Sequence, residues 1–179
     1  MGIPVKKIAL LAGAAAACAV AAIVRGLRAA GKAASGGFFG PGPIAADLNL
    51  TLEIALVLGL SAGMFLARRA RFETHRVNQT IWTLVNAALV ACAMIPSLGH
   101  TKMARLSDLA HWSAVLPWLH VAIGLLTLTG ALWLVLQMND ILPVRWHVAW
   151  WKTLMRFTLA GYWLVALLGV LLYFQWYVG

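Results

Sequence analysis

The side chains best suited to bind a metal or a cofactor in this sequence are its five histidines. They are His75, His100, His111, His120 and His147, in a chain of 179 residues with only five acidic residues. Imidazole is the commonest metal ligand in proteins, and a haem iron within a helix bundle is usually held by side chains from facing helices. A histidine that only bonds a backbone carbonyl or a lipid headgroup is the competing interpretation for each of them.

Five apolar blocks predict the elements that position these histidines. The blocks cover about residues 8–24, 48–67, 80–95, 116–138 and 154–178. A membrane-spanning helix needs about 20 mainly apolar residues. The chain is 63% hydrophobic and 11% charged, whereas a soluble domain carries about 25% charged residues. We therefore predict an all-α integral membrane protein with five transmembrane helices, the last four forming a helix bundle surrounded by the lipid bilayer.

A glycine- and proline-rich segment separates the first block from the other four. Between Arg25 and Asp47 the chain contains Gly36, Gly37, Gly40, Pro41, Gly42 and Pro43, a composition typical of an irregular connection. This predicts two parts, residues 1–47 with the first helix and an outer loop, and residues 48–179 with the four-helix bundle. Asp47 or Asn49 is expected to cap the second helix. A retained first helix is the preferred expectation, and a secretory signal peptide is the alternative.

Basic residues predict the orientation, because short loops rich in Lys and Arg stay in the cytoplasm. Nine lie on the side of the N-terminus, namely Lys6, Lys7, Arg68, Arg69, Arg71, Arg76, Arg145, Lys152 and Arg156. Five lie on the other side, namely Arg25, Arg28, Lys32, Lys102 and Arg105. We expect a cytoplasmic N-terminus and an outer C-terminus. Nucleic acid is not an expected partner, because these charges lie between apolar blocks rather than along one polar face.

This orientation divides the histidines into two groups. His75 and His147 are on the inner side, just before or within the starts of the third and fifth spans, so one cofactor could bridge them if those helices touch. On the outer side, His120 in the fourth span could pair with His100 or His111. An ionisable side chain inside a span is costly and is by default a functional candidate.

Glu53, in the second span, is the acidic residue of most interest. A carboxylate inside a span must be neutral, paired or exposed to water. Glu53 is therefore expected either to hydrogen-bond a ligating histidine or to lie close enough to the outer surface to reach water.

The absence of familiar motifs limits the chemistry. The sequence has no P-loop, no C-x-x-C-H haem attachment site, no H-E-x-x-H and no credible catalytic triad. Any haem would be held without a covalent link, as in a b-type cytochrome. Any copper would use imidazole together with a methionine such as Met94, Met103 or Met155. An electron-transfer or accessory subunit is expected rather than a stand-alone enzyme.

Three stretches together resemble the DUF420 family of small bacterial membrane proteins. They are the run 75–79 (HRVNQ), the run 120–124 (HVAIG), and His147 followed by Arg156 and the tail 162–173 (YWLVALLGVLLY). The resemblance covers about residues 48–178. Gln79 stands where the family pattern has a methionine, which puts a methionine ligand there in doubt. The histidines His75, His120 and His147 fall on the matching positions.

The resemblance implies a bacterial inner (plasma) membrane protein linked to haem–copper terminal oxidases. Our leading hypothesis is a haem b-binding protein of respiratory electron transfer, with His75, His147 and His120 as the metal ligands and His100 and His111 as further cofactor-binding candidates. The alternatives are a copper-binding oxidase maturation factor and a cofactor-free accessory subunit of a larger respiratory membrane complex.

Overall fold

Five long helices make up most of the computed structural model, which describes residues 5–31, 36–98 and 112–178. They are α1 (Val5–Ala29), α2 (Ile44–Arg68), α3 (Phe72–Leu89), α4 (Trp112–Met138) and α5 (Trp151–Tyr177). All five, with α3 continued to Met94, are long and apolar enough to cross a membrane. The predicted fold class, an all-α membrane protein with five spans, is confirmed.

The third helix begins eight residues before the apolar block that predicted it. Its first turns are polar, and two of their side chains bond the backbone of α2. Asn78 donates to the Gly59 carbonyl at 2.9 Å and Gln79 donates to the Leu60 carbonyl at 3.0 Å. These bonds stabilise a polar start that hydropathy alone does not predict. The helices approach closely here because α2 presents glycines, and any side chain at Gly59 would collide with the Trp82 ring.

Helices α2 to α5 form a four-helix ring. Each packs against the next along the chain, and α5 closes the ring against α2. In the described parts, α2 and α4 lie across one diagonal and α3 and α5 across the other, without packing along each other. Helix α1 lies outside the ring along α3, where Ala9 and Gly13 are buried. A Cβ added at Gly13 would lie 2.8 Å from the Leu84 side chain and 3.3 Å from the Thr80 carbonyl oxygen, so a side chain there would require α3 to shift.

The third helix ends in irregular turns. After Leu89 it widens into a π-helical turn, Val90–Met94, and then a short turn, Ile95–Leu98. In the wide turn the Ile95 N–H donates to the Val90 carbonyl, five residues back. Arg28 of α1 donates to the Ala93 carbonyl at 3.0 Å. The side chain of Arg28 thus bonds a backbone carbonyl at this helix end and ties α1 to it.

Contacts at the helix ends define two faces of the bundle. Lys6, near the start of α1, pairs with Asp140 after α4, and the α2–α3 turn at Arg69 and Ala70 lies at the same end as these two. We call this end the N-side face. At the opposite end, the C-side face, the loop of residues 36–43 contacts the last turns of α5 through Tyr173. Five crossings therefore place the two ends of the described chain on opposite faces.

Candidate functional site

A carboxyl group and an imidazole face each other inside the four-helix ring. Glu53 of α2 and His120 of α4 come from diagonally opposed helices, and Glu53 Oε1 lies 3.9 Å from His120 Nε2. Only 8% of the Glu53 side chain and 14% of the His120 side chain are exposed. Because α2 and α4 are not neighbours in the ring, this pair occupies the axis of the bundle.

Both residues lie well within their spans. Glu53 is nine residues beyond the start of α2 and His120 eight residues beyond the start of α4. At 1.5 Å per residue, both lie about 12–14 Å along their helices from the C-side ends. The agreement between the two depths explains how side chains from non-adjacent helices reach each other. Of the two expectations for Glu53, the structure favours a buried carboxyl beside a histidine over one in contact with bulk water.

Helix α5 makes the space that this pair occupies. A Cβ added at Gly169 would collide with Glu53 Oε2. One turn deeper, the backbone of Val165 lies close to the His120 imidazole. The absence of a side chain at Gly169 therefore lets the α5 backbone lie directly against the acid.

Three polar atoms near the pair are buried without a hydrogen-bond partner. They are Glu53 Oε1, His120 Nδ1 and Asn49 Oδ1. Asn49 lies one turn from Glu53 on the same side of α2, toward the C-side face. Buried polar atoms are nearly always satisfied by protein groups or by ordered water. The gap of 3.9 Å between the acid and the imidazole is too long for a direct hydrogen bond and suits a bridging water.

The two histidines predicted to share an inner cofactor are each held by a backbone carbonyl. His75 Nδ1 donates to the Gly63 carbonyl at 2.7 Å, and His147 Nε2 donates to the Leu142 carbonyl at 3.1 Å. Gln137 fixes the loop beside His147, because its amide oxygen accepts from Val148 N–H at 2.9 Å. Among the described residues, no hydrogen bond or ion pair joins the two rings. Their role as a ligand pair stays a prediction.

The other predicted ligands cannot be paired with His120 from the structure. His100 and His111 lie outside the described residues. Within residues 5–31, 36–98 and 112–178, no group of three or more His, Cys, Asp or Glu side chains is placed to hold a metal ion. Among the described residues, the polar side chain that lies next to His120 is Glu53.

A second polar cluster, which sequence reasoning missed, lies nearer the C-side face. Asp47 is fully buried and accepts two hydrogen bonds of 2.6 Å, from the Phe39 N–H and from the Tyr173 hydroxyl. Because α2 begins at Ile44 after Pro43, neither Asp47 nor Asn49 caps it, and that expectation was wrong. Gly37 and Gly42 leave the space around the carboxylate, since a Cβ on either would press on Asp47. We call this cluster the Asp47 clasp.

Two further polar bonds join helices deeper in the bundle. Asn86 of α3 donates to the Tyr162 hydroxyl of α5 at 3.2 Å, across the second diagonal. Toward the N-side face, Asn139 donates to the Thr80 hydroxyl at 3.1 Å and to the Val135 carbonyl at 2.8 Å. Asn86 and the Asn139 amide nitrogen are thus bonded, whereas Asn139 Oδ1 is itself buried without a partner. The Glu53–His120 pair differs in having an unpaired atom on both of its facing partners.

Comparisons of this chain with known protein families, with curated proteins and with solved structures found no match. The resemblance to the DUF420 family therefore stays a prediction.

Removing the Tyr173 hydroxyl tests the Asp47 clasp. In Tyr173→Phe, Asp47 Oδ1 loses its donor while buried, and we expect the free energy of unfolding to fall by about 2 kcal/mol. The matched control is Tyr177→Phe, which keeps the ring packing 5.2 Å from Tyr173 and is expected to cost less than about 1 kcal/mol. Thermal unfolding in detergent measures both. Equal losses in the two variants would show that the bond to Asp47 contributes little.

Proposed function

We propose that this chain is a proton-exchanging integral membrane subunit, and that its Glu53–His120 pair binds and releases a proton inside the bundle. The observation that carries the proposal is a buried acid facing a mostly buried imidazole, each with an unpaired polar atom. Imidazole is the side chain that exchanges protons most readily near neutral pH, and a carboxyl group is a common partner for it in proton transfer.

The physical reason is the cost of an uncompensated charge in the low-dielectric interior. When the pair holds one proton, it carries no net charge, whether the proton is on Glu53 or on His120. Adding a proton gives a net charge of plus one, and removing the proton gives minus one. Two facing groups can therefore exchange a proton between them without changing the net charge of the site. A single buried carboxyl group does not have that property.

The proposed setting is a larger membrane complex of the respiratory chain, in the bacterial inner membrane, as the resemblance to the DUF420 family implies. A protonatable pair suits an accessory subunit, because the proton it binds can balance charge arising in a partner. The lipid bilayer surrounds the spans on the faces that no partner covers.

For the orientation we propose a cytoplasmic N-side face, since nine basic residues were assigned there and five to the other face. A reporter enzyme that is active only outside the cytoplasm, fused after residue 178, is expected to be active in cells. Activity from a fusion that works only inside the cytoplasm would reverse the orientation.

Replacing the buried glutamate tests the proposed function. Infrared spectra of the protein in nanodiscs detect the carbonyl stretch of a protonated carboxylic acid. We expect one such band to grow as the pH falls and to be missing in Glu53→Gln. The chain has one other glutamate, the exposed Glu73, so Glu73→Gln is the matched control and is expected to keep the band.

A second variant separates the roles of the two partners. His120→Asn keeps a polar side chain without a titratable group, so the Glu53 band is expected to remain but to change its pH dependence. If neither Glu53 nor His120 changes protonation anywhere in the pH range where the protein stays folded, the proposed function is wrong.

A second candidate function is haem b binding, and the geometry of His75 is the observation that favours it. A ligating histidine typically donates its other ring N–H to a carbonyl or carboxylate, which fixes the ring. His75 has this arrangement, since Nδ1 is engaged by the Gly63 carbonyl and Nε2 remains for a metal. The residue suits one axial ligand, and a bound haem would supply electron-transfer chemistry at the N-side face. Copper bound through the same imidazole is the alternative to haem in this second candidate function.

A visible spectrum of the purified protein, before and after dithionite, tests haem binding. A Soret band, with sharp α and β bands on reduction, would support a six-coordinate haem. His75→Ala is expected to remove or alter that component, whereas Gln79→Met is expected to leave it unchanged. A featureless spectrum from fully folded protein would reject haem, and spectra that are identical in wild type and His75→Ala would remove His75 as a ligand.

A further inference from the structure

We propose that the Glu53–His120 pair exchanges its proton with the C-side face only, through Asn49 and water, beneath a lid formed by the loop of residues 36–43. This inference rests on the proposed function and adds the route and its direction to it. Three observations carry it: the unpaired amide oxygen of Asn49, the polar residues one layer above the pair, and the apolar layer below it.

Asn49 provides the step next to the pair. It precedes Glu53 by four residues, so the two side chains lie one above the other on the same side of α2. Its Oδ1 is buried without a partner, as are Glu53 Oε1 and His120 Nδ1. A single helical turn, about 5.4 Å, separates the two residues of α2. One or two water molecules can bridge such a distance and satisfy these atoms.

The Asp47 clasp lies at the mouth of this route. On α5, Tyr173 is one turn from Gly169, toward the C-side face, and its hydroxyl bonds Asp47. Tyr177 packs against Tyr173 another turn outward. Within residues 36–98 and 112–178, the titratable groups between the pair and the C-side face are thus Asp47, Tyr173 and Tyr177. The loop covers Asp47 and Tyr173, because the Phe39 N–H bonds Asp47 and the Phe39 ring packs edge-on against Tyr173.

An apolar layer closes the bundle on the other side of the pair. One cluster of buried residues fills the ring immediately toward the N-side face, and its members are Leu56, Val57, Leu60, Ala131, Tyr162 and Ala166. The next polar bond, between Asn86 and Tyr162, lies seven residues along α5 from Gly169, or about 10 Å. Apart from the Tyr162 hydroxyl, which accepts from Asn86, the members of this cluster carry no polar side-chain group, and apolar spaces of this kind stay dry.

The two sides of the pair are therefore unequal. Toward the C-side face, α2 carries the polar residues Asn49 and Asp47 within six positions of Glu53. Toward the N-side face, the next turns of α2 offer Leu56, Val57 and Leu60, all almost fully buried. A proton that reaches the pair from the C-side must return to the same side, so the site stores a proton and does not conduct protons across the membrane.

The exchange rate of the Glu53 proton tests this route. Nanodiscs expose both faces to solvent, so after transfer to heavy water the isotope shift of the Glu53 carbonyl band reports exchange by whichever route is open. We expect Asn49→Leu to slow the exchange at least about tenfold, equivalent to about 1.4 kcal/mol on the barrier. Asn49→Ser, which restores a small polar group, is expected to exchange at nearly the wild-type rate. Asn86→Leu, on the N-side of the pair, is the matched control and is expected to leave the exchange rate of the Glu53 proton unchanged.

Each outcome of these exchange measurements either supports or overturns the proposed route. Slow exchange in Asn49→Leu with recovery in Asn49→Ser supports the C-side route, and faster exchange in Tyr173→Phe supports the role of the clasp as a lid. Unchanged exchange in Asn49→Leu, or slow exchange in Asn86→Leu with a normal rate in Asn49→Leu, overturns the route while leaving the protonatable pair intact. A Glu53 band that never appears overturns the proposed function itself. A thermal transition recorded for every variant confirms that the comparison is made on folded protein.

Discussion

The lack of water inside a bilayer is the constraint on which this structure depends. A polar group in the hydrocarbon region must find its partner within the protein. The helices satisfy their own backbones, so the polar side chains within the spans decide how the helices pack. Asn78 and Gln79 bond α2, Asn86 bonds α5, and Asn139 bonds α3. Such bonds contribute about 0.6–2 kcal/mol each, and they also fix which faces of the helices meet.

The Glu53–His120 pair differs from these interhelical hydrogen bonds. Among the described residues, the hydrogen bonds that side chains make to another helix are 2.6–3.2 Å long. The acid and the imidazole instead remain 3.9 Å apart with an unpaired atom on each. Purely structural polar groups are expected to be fully satisfied, because an unsatisfied one costs about 1–3 kcal/mol. A site that keeps such atoms unpaired at this depth has the features expected of a functional one.

Hydropathy predicted the number of spans, because the energy of placing about 20 apolar residues in lipid depends on composition alone. It did not predict where α3 begins, since the helical state of residues 72–79 depends on bonds to another helix. Residue type also identified Glu53 and His120 as unusual. Their meeting could not be predicted, because it depends on the rotation of two helices that are not neighbours, and on a glycine at position 169.

The Asp47 clasp was missed for a related reason. An acidic residue near a helix start suggests a cap, and only the path of the glycine-rich loop brings Phe39 N–H and Tyr173 to it.

Glycines have different effects at the two ends of the bundle. At Gly59 and Gly63 the missing side chains admit Trp82, Asn78 and Gln79, so that α2 and α3 are tightly joined near the N-side face. At Gly169 the missing side chain admits the Glu53 carboxyl instead. A larger residue there would force the acid away from the axis, toward lipid, where a charge has no partner. Glycines therefore allow close packing at one end of α2 and leave room for the buried acid toward the other end. This asymmetry agrees with a site that communicates with one face of the membrane.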